Sequence, residues 1–570
     1  MPVYTVRGSE YDDDDDDLPD TLPPPSPPPQ AENATDAEPN DKTSPVADPV
    51  VDPVVDPGEV AITRQSKLLY NWAELNLESI SHKGEFLLRA FLITHLPCCL
   101  LSYPDRSHCD SWFSVDGADD ESEPTRICAI GPGEKQVGVA IQSSKVRCLM
   151  FFDPADDRLI IINTMPKTLY CKSARTGATL DIPFNGTAVM AEDEWELSTG
   201  WNACHIQCKV LGRKPLRITQ DPGTKRSSAA ENHVAKRTRR PVGEDFNRVT
   251  IPRGSFPNNP LLHIVRGDAV HVETGVKDYT LKLLEPVADM RLESSFKAKH
   301  SRISGKIVVV KIIKPNSRRK ESAVQAIETW IAEFLVHSSL GSHHAIVPYL
   351  GSDARFNALF TEYIDAKPLT YHVKDQSNQE FNDGIYRAWR ILCDIASALS
   401  FLHSKKIIHG GIQLANILFH PVRGAVLANF SLSFKEGERP VSNGLPWYQP
   451  PQFLEQMDAH STSMDMWALG VVMLWALSKI PMPESAKHWV VEHIHLEKAA
   501  TDVVRKAETR MEDWLATVQA GSNTLQEEGE QMGELGEMAG LIGALVQQRE
   551  QERIDAATLV EELAKFDLKS

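Results

Sequence analysis

Cysteine is scarce, with 9 in 570 residues, and none falls in paired zinc-ligand spacing. Cys98 and Cys99 are adjacent, and Cys204 and Cys208 share one short apolar stretch. That pattern argues for free, partly buried thiols and against a metal knuckle or a disulfide framework. Long apolar runs are also missing. A membrane span needs roughly 18 uninterrupted apolar residues, and the best candidate, 86–101, is broken by Arg89, His95 and Pro97. The start has no basic-then-apolar leader; six aspartates stand at 12–17 instead. The expectation is an intracellular chain, nuclear or cytoplasmic, with no membrane partner.

Positive charge is nearly absent from residues 1–60, which hold 16 Asp/Glu against 2 Lys/Arg. They account for −14 of the formal net charge of −18, so the remainder is near neutral. The same stretch holds 13 of the 37 prolines. Self-repelling aspartates and the Pro23–Pro29 run predict a disordered tail over 1–63. Such a tail is either solubilising or a docking peptide for an aromatic groove or a basic partner.

Residues 64–212 read as β-rich. Short apolar runs at 136–142, 146–152, 158–163, 188–196 and 205–211 are separated by turn-like stretches. Many short strands at close spacing predict a β-sandwich-like domain. Residues 213–261 read as a basic linker, and 213–241 carry nine Lys/Arg against two acids. Lys225-Arg226 and Lys236-Arg237-Thr238-Arg239-Arg240 are separated by nine residues. The pair resembles a bipartite nuclear import signal. A basic linker that folds back on the acidic tail, or meets nucleic acid non-specifically, fits the same charges; no specific nucleic acid is expected.

Residues 262–570 form the last unit. Ile307–Ile313 is strongly β-branched and predicts a strand. Helical periodicity follows at 324–340, 386–403, 463–477, 498–519 and 556–566. The acidic, glycine-dotted stretch 508–540 reads as a mobile or partly helical loop. The fold class is α+β.

This unit resembles a eukaryotic protein kinase domain, on motifs in the right order. VVVK ending at Lys311 matches the strand whose lysine holds nucleotide phosphates, and Glu333 matches its helix partner. Thr361–Tyr363 looks like the gatekeeper and hinge. HSKKIIHGGIQLANILF matches the catalytic loop, LANFSLS the metal-binding DFG segment, and LPWYQPPQF the end of the activation segment. DMWALG opens a long buried helix, and Arg553 fits a late arginine that braces the activation segment. The resemblance implies a bilobal fold. It also implies a nucleotide site, were one retained, at Lys311, Glu333, Thr361, Glu362, Asn416 and Asn429.

Phosphoryl transfer needs an oriented hydroxyl, neutralised charge and fixed phosphates. Where the family has the Asp of HRD, this chain has Gly411, in His409-Gly410-Gly411. The loop lysine is Gln413 and the activation-segment threonine is Leu445. The Asp of DFG is Asn429, in Asn429-Phe430-Ser431, and Asn416 survives at the second ligand position. Mg²⁺ favours charged oxygens, so two asparagines make a poor metal site. The phosphate-covering stretch 283–298 has no glycine, and Glu293 there would repel phosphate. Gln452 replaces the glutamate that would meet Arg553. The retained residues have structural jobs. The reading is a pseudokinase with no required cofactor: ATP is a ligand it could still hold, and Mg²⁺ is not expected. Asp365 and Glu436 are the acids whose displacement could restore chemistry.

Residues 127–212 resemble a forkhead-associated (FHA) domain, a phosphothreonine-reading fold. Ser144 and Arg147 sit where a serine and a histidine are expected, and Pro132 replaces the phosphate-binding arginine. The whole chain therefore reads as a non-catalytic signalling scaffold or allosteric regulator of protein partners. The alternatives are a divergent ATP-dependent serine/threonine kinase and a phosphopeptide adaptor working through the β-domain.

Overall fold

In this computed structural model the described residues are 90–94, 99–104, 112–115, 125–131, 133–153, 158–200, 205–211, 215–219, 248–252, 259–272, 278–315, 322–372, 384–440, 442–456, 460–495, 501–530 and 533–566. The acidic tail, Pro132 and the import-like clusters from Lys225 to Arg240 lie outside them. Among the described residues no helix is long and apolar enough to cross a membrane.

The described residues between 90 and 210 build two antiparallel sheets. The first runs Trp112–Val115, Thr125–Ile130, Ala90–Thr94, Ile206–Val210, Glu194–Ser198, Leu169–Ser173, Thr179–Ile182. The second runs Thr187–Met190, Leu159–Asn163, Arg147–Phe152, Gly138–Gln142, Cys99–Tyr103. Leu92 and Cys208 of the first share one buried cluster with Ile141, Met150 and Ile161 of the second. The run 188–196, expected as one strand, is two strands on different sheets. The crossing falls at Asp193, whose carboxylate accepts from Glu194 N at 2.8 Å and so turns the chain.

An eight-stranded sheet follows. Its order is Arg248–Pro252, Pro215–Thr219, Ala269–Val272, Tyr279–Asp289, Glu293–His300, Ile307–Ile313, Ala358–Glu362, Tyr349–Asp353. The first two of these strands fall inside the stretch read as a basic linker, so at those residues the chain is sheet. In Ile307–Ile313 the alternation is clear: Val308, Val310 and Ile312 enter the sheet's core cluster, which leaves Lys311 for the other face. The helix Ser322–Ser339 packs beside this strand.

The remainder is mostly helical: Ile385–Ser404, Thr462–Ala476, Thr501–Gly529, Gly533–Leu545 and Ala556–Leu563. The helix Thr462–Ala476 is buried from Met464 to Ala476 without a break, as an apolar sequence on all sides requires. Of the stretch 508–540, expected as a mobile or partly helical loop, residues 508–529 and 533–540 lie in two packed helices.

Candidate functional site

Lys311 stands at the centre of a group drawn from four segments. Its Nζ lies 2.9 Å and 3.1 Å from the two carboxylate oxygens of Glu333. It lies 3.0 Å from Glu293 Oε2 and donates to Asn429 Oδ1 at 2.7 Å. Glu333 comes from the adjacent helix and is 3% exposed. Burial works against the Lys311 ammonium, but Glu333 and Glu293 hold its pKa above the usual lysine range. Burial raises the Glu333 carboxyl, with Lys311 pulling it back.

Glu293 is brought there by a tight hairpin between Tyr279–Asp289 and Glu293–His300. Met290 N donates to Glu293 O at 2.8 Å, and Lys314 N to Leu292 O at 2.7 Å. Lys314 Nζ also pairs with Asp289 at 2.8 Å. These bonds fasten the hairpin tip to the end of the Lys311 strand.

The loop at 409–416 is held from below by Asp465. Its carboxylate accepts from His409 N at 2.8 Å and Gly410 N at 2.9 Å. Gly410 has a φ of +68°, and a Cβ there would meet Leu432 O at 2.6 Å, so only glycine fits. Gly411 adds no side chain. Its nearest neighbours, were it given a Cβ, are Asn416 Nδ2 and Leu432 Cδ1, both at 3.4 Å, and His409 Cε1 at 3.6 Å. None of these is an acid. Gly411, Gln413 and Leu445 line one cavity of about 10 Å³, room for about one water. Asn416 turns to the backbone, donating to Gly411 O at 2.8 Å. Asn429 donates to Asn416 Oδ1 at 3.1 Å. The side-chain carbonyls of both asparagines thus already accept from protein donors.

The other expected residues are more scattered. Thr361 and Glu362 are half-buried on the strand paired with Val308 and Val309, and Glu362 is bridged to Lys306 at 2.7 Å. Asp365 is exposed and accepts from Tyr363 Oη at 3.0 Å. Glu436 is exposed. Arg553 donates to Gln452 Oε1 at 3.0 Å and to Ser463 O at 3.0 Å; burial pulls its pKa down to about 10, against the pull of Glu550. In the β-rich region Ser144 and Arg147 are both exposed, at and just after a hairpin turn. Ser143, not Ser144, makes that turn, accepting from Val146 N at 2.8 Å. Sequence reading gave Glu293 a repellent role and no partner, and gave Leu432 no role. The register of the hairpin against Lys311 was the missing information for the first.

Residues 294–563 match the family model described as protein kinase domain. The chain is similar to mouse Protein kinase C delta type, at 28% identity over 25% of this chain and 20% of that protein. It is also similar to human cAMP-dependent protein kinase catalytic subunit PRKX, at 28% identity over 23% of this chain and 35% of that protein. The chain thus spans well under two thirds of the length of these relatives. Residues 294–563 are therefore a protein kinase-like domain.

Proposed function

We propose that this domain is a pseudokinase: a bilobal kinase-like fold used as a signalling scaffold or allosteric regulator of protein partners, without phosphoryl transfer. The observation that carries the reading is the company of Lys311. A lysine that serves a nucleotide keeps one carboxylate and offers its remaining capacity to phosphate. Here Glu333, Glu293 and Asn429 take it together. A triphosphate brought to Lys311 would lie beside the Glu293 carboxylate, and like charges at such range repel. Magnesium nucleotide does not fit this set of residues. Asn416 and Asn429 are neutral and already accept bonds, and Gly411 has nothing with which to orient a hydroxyl.

The second reading, a divergent ATP-dependent serine/threonine kinase, draws on the intact Lys311–Glu333 pair and on relatives whose names are those of protein kinases. The two readings are separated by a radiometric transfer assay comparing the full chain with Lys311→Ala. The expected result is no transfer above background from either protein. Transfer that disappears in Lys311→Ala hands the case to the second reading. We take the β-rich region as a sandwich in which two sheets share one core, with its FHA-like role as a phosphopeptide adaptor a weaker reading. An array of phosphothreonine peptides tests that role; binding lost on Ser144→Ala or Arg147→Ala would support it. For the import-like basic clusters we propose a nuclear address, tested by imaging a variant with Lys236, Arg237, Arg239 and Arg240 changed to alanine.

A further inference from the structure

The five-stranded sheet has two buried faces. Along Arg147–Phe152, Cys148 and Met150 enter the core shared with the seven-stranded sheet, while Leu149 and Phe151 belong to a different cluster. Leu159–Asn163 repeats the pattern, with Leu159 and Ile161 inward and Ile160 and Ile162 outward. An antiparallel sheet with one face in water would alternate apolar and polar. These strands do not, because their second face also has a partner.

That partner is one cluster to which both the Glu333 helix and the eight-stranded sheet contribute, the latter through Ile313 and Leu359. Ile327, Trp330, Ile331 and Phe334 lie in the same cluster as Phe151 and Ile160. Trp330 is 0% exposed and Phe151 is 1% exposed. Spacings of three and four residues put these helix positions on one face. Glu333 and His337 lie at the flank of that face and reach the Lys311 group instead. Glu333 meets Lys311, and the His337 ring lies 4.4 Å from that of Phe430. Polar bonds surround the apolar contact. Ala354 N donates to Gly133 O at 3.0 Å and Ser352 Oγ to Glu134 O at 2.8 Å. Arg302 and Glu134 form an ion pair. The chain leaving the β-domain also adds Pro215–Thr219 to Ala269–Val272 of the eight-stranded sheet.

We infer that the β-domain is a resident clamp on the Glu333 helix, pressing it against the kinase-like sheet and so keeping Glu333 on Lys311. A helix gripped on both sides has a single seat, whereas a helix with one free side can swing. Whatever loads or unloads the β-domain is then transmitted to the Lys311 group through Trp330 and its neighbours. The inference rests on the regulatory reading for its purpose, but its test uses neither nucleotide nor catalysis, so either can fail alone.

Amide hydrogen exchange on the full chain, without nucleotide, tests it. Phe151→Asp places a charge against the helix, and exchange across Ser322–Ser339 should rise at least about tenfold, the equivalent of 1.4 kcal/mol. Glu134→Arg and Arg302→Glu should each raise it by about threefold, the range of a partly exposed ion pair. The combined reversal should return it toward wild type. Amides of Ile307–Ile313 serve as the internal control. Wild-type exchange of the helix in Phe151→Asp overturns the clamp, whether or not strands 138–163 keep their own protection, since losing a clamp must free what it held. An equal rise in helix and control strand also overturns it, because that is general loosening.

Discussion

Glu293 Oε2 lies 3.0 Å from Lys311 Nζ, so the hairpin that would cover phosphates in a kinase supplies a second carboxylate to Lys311. One ammonium then answers two acids. The arrangement is neutralised internally only in part, and a further anion has little to gain there.

Removing that acid should make the site more receptive. In a thermal-shift experiment the wild-type chain with ATP, with or without Mg²⁺, should move by less than about 1 °C. Glu293→Ala should show a clear gain with ATP alone. A ligand at a hundred times its Kd stabilises by about 3 kcal/mol, worth several degrees in a chain of this size. A large Mg²⁺-dependent shift in the wild type would defeat the occupied-site account, and so would identical small shifts in both proteins.

Lys311 itself should be structural. Lys311→Met leaves Glu333 buried without its cation, and breaking a buried pair costs on the order of 3–5 kcal/mol. Burial already raises the Glu333 carboxyl, and loss of Lys311 would raise it further. The unpaired acid then takes up a proton as pH falls, so the deficit against wild type should shrink between pH 8 and pH 5. Urea midpoints at the two pH values measure this. A deficit that is small, or that grows on acidification, contradicts the role.

Two histidines make an acid limit. His409 is 0% exposed and His337 is 3% exposed, and burial pushes each down to about 4. The unfolded chain protonates its histidines from about pH 6.5 downward. Each native ring resists until near pH 4, so this contribution is fully present above pH 6.5 and is lost as pH falls toward 4. The loss reaches at most ~3 kcal/mol per histidine. His337→Leu should flatten the slope of stability between pH 6.5 and 4, while losing the bond from its ring to Val347 O at 2.8 Å. An unchanged slope in that variant would remove His337 from the explanation.

What could be read in the chain follows the range of the forces involved. Ile307–Ile313 was legible because its β-branched residues decide strand locally, and the helix Ile385–Ser404 because its periodicity is strong. The vacancy at Gly411 was legible because a missing side chain needs no geometry. The second partner of Lys311 was not, because it depends on hairpin register, which is set by bonds such as Lys314 N to Leu292 O. The apolar runs at 148–152 and 159–162 were read as ordinary strands. Their lack of alternation in fact reports a helix more than 160 residues further along, which no local pattern contains.

The glycines near 529–543 misled for a related reason. In an isolated helix glycine costs about 1 kcal/mol against alanine, so a glycine-dotted acidic stretch suggests a loop. Here the glycines let two helices touch. A Cβ on Gly536 would lie 2.5 Å from Gly529 O, and one on Gly529 would lie 2.8 Å from Ala539 Cβ. Backbone cannot give way as a flexible side chain can. Gly536→Ala should therefore lower stability, by roughly 1–3 kcal/mol as overpacking does, although propensity alone predicts a gain. Gly540, with open space around its Cβ position, supplies the control: Gly540→Ala should be neutral or stabilising. A thermal melt in which Gly536→Ala matches or exceeds Gly540→Ala would mean that the close approach of Thr501–Gly529 and Gly533–Leu545 is not what these glycines serve.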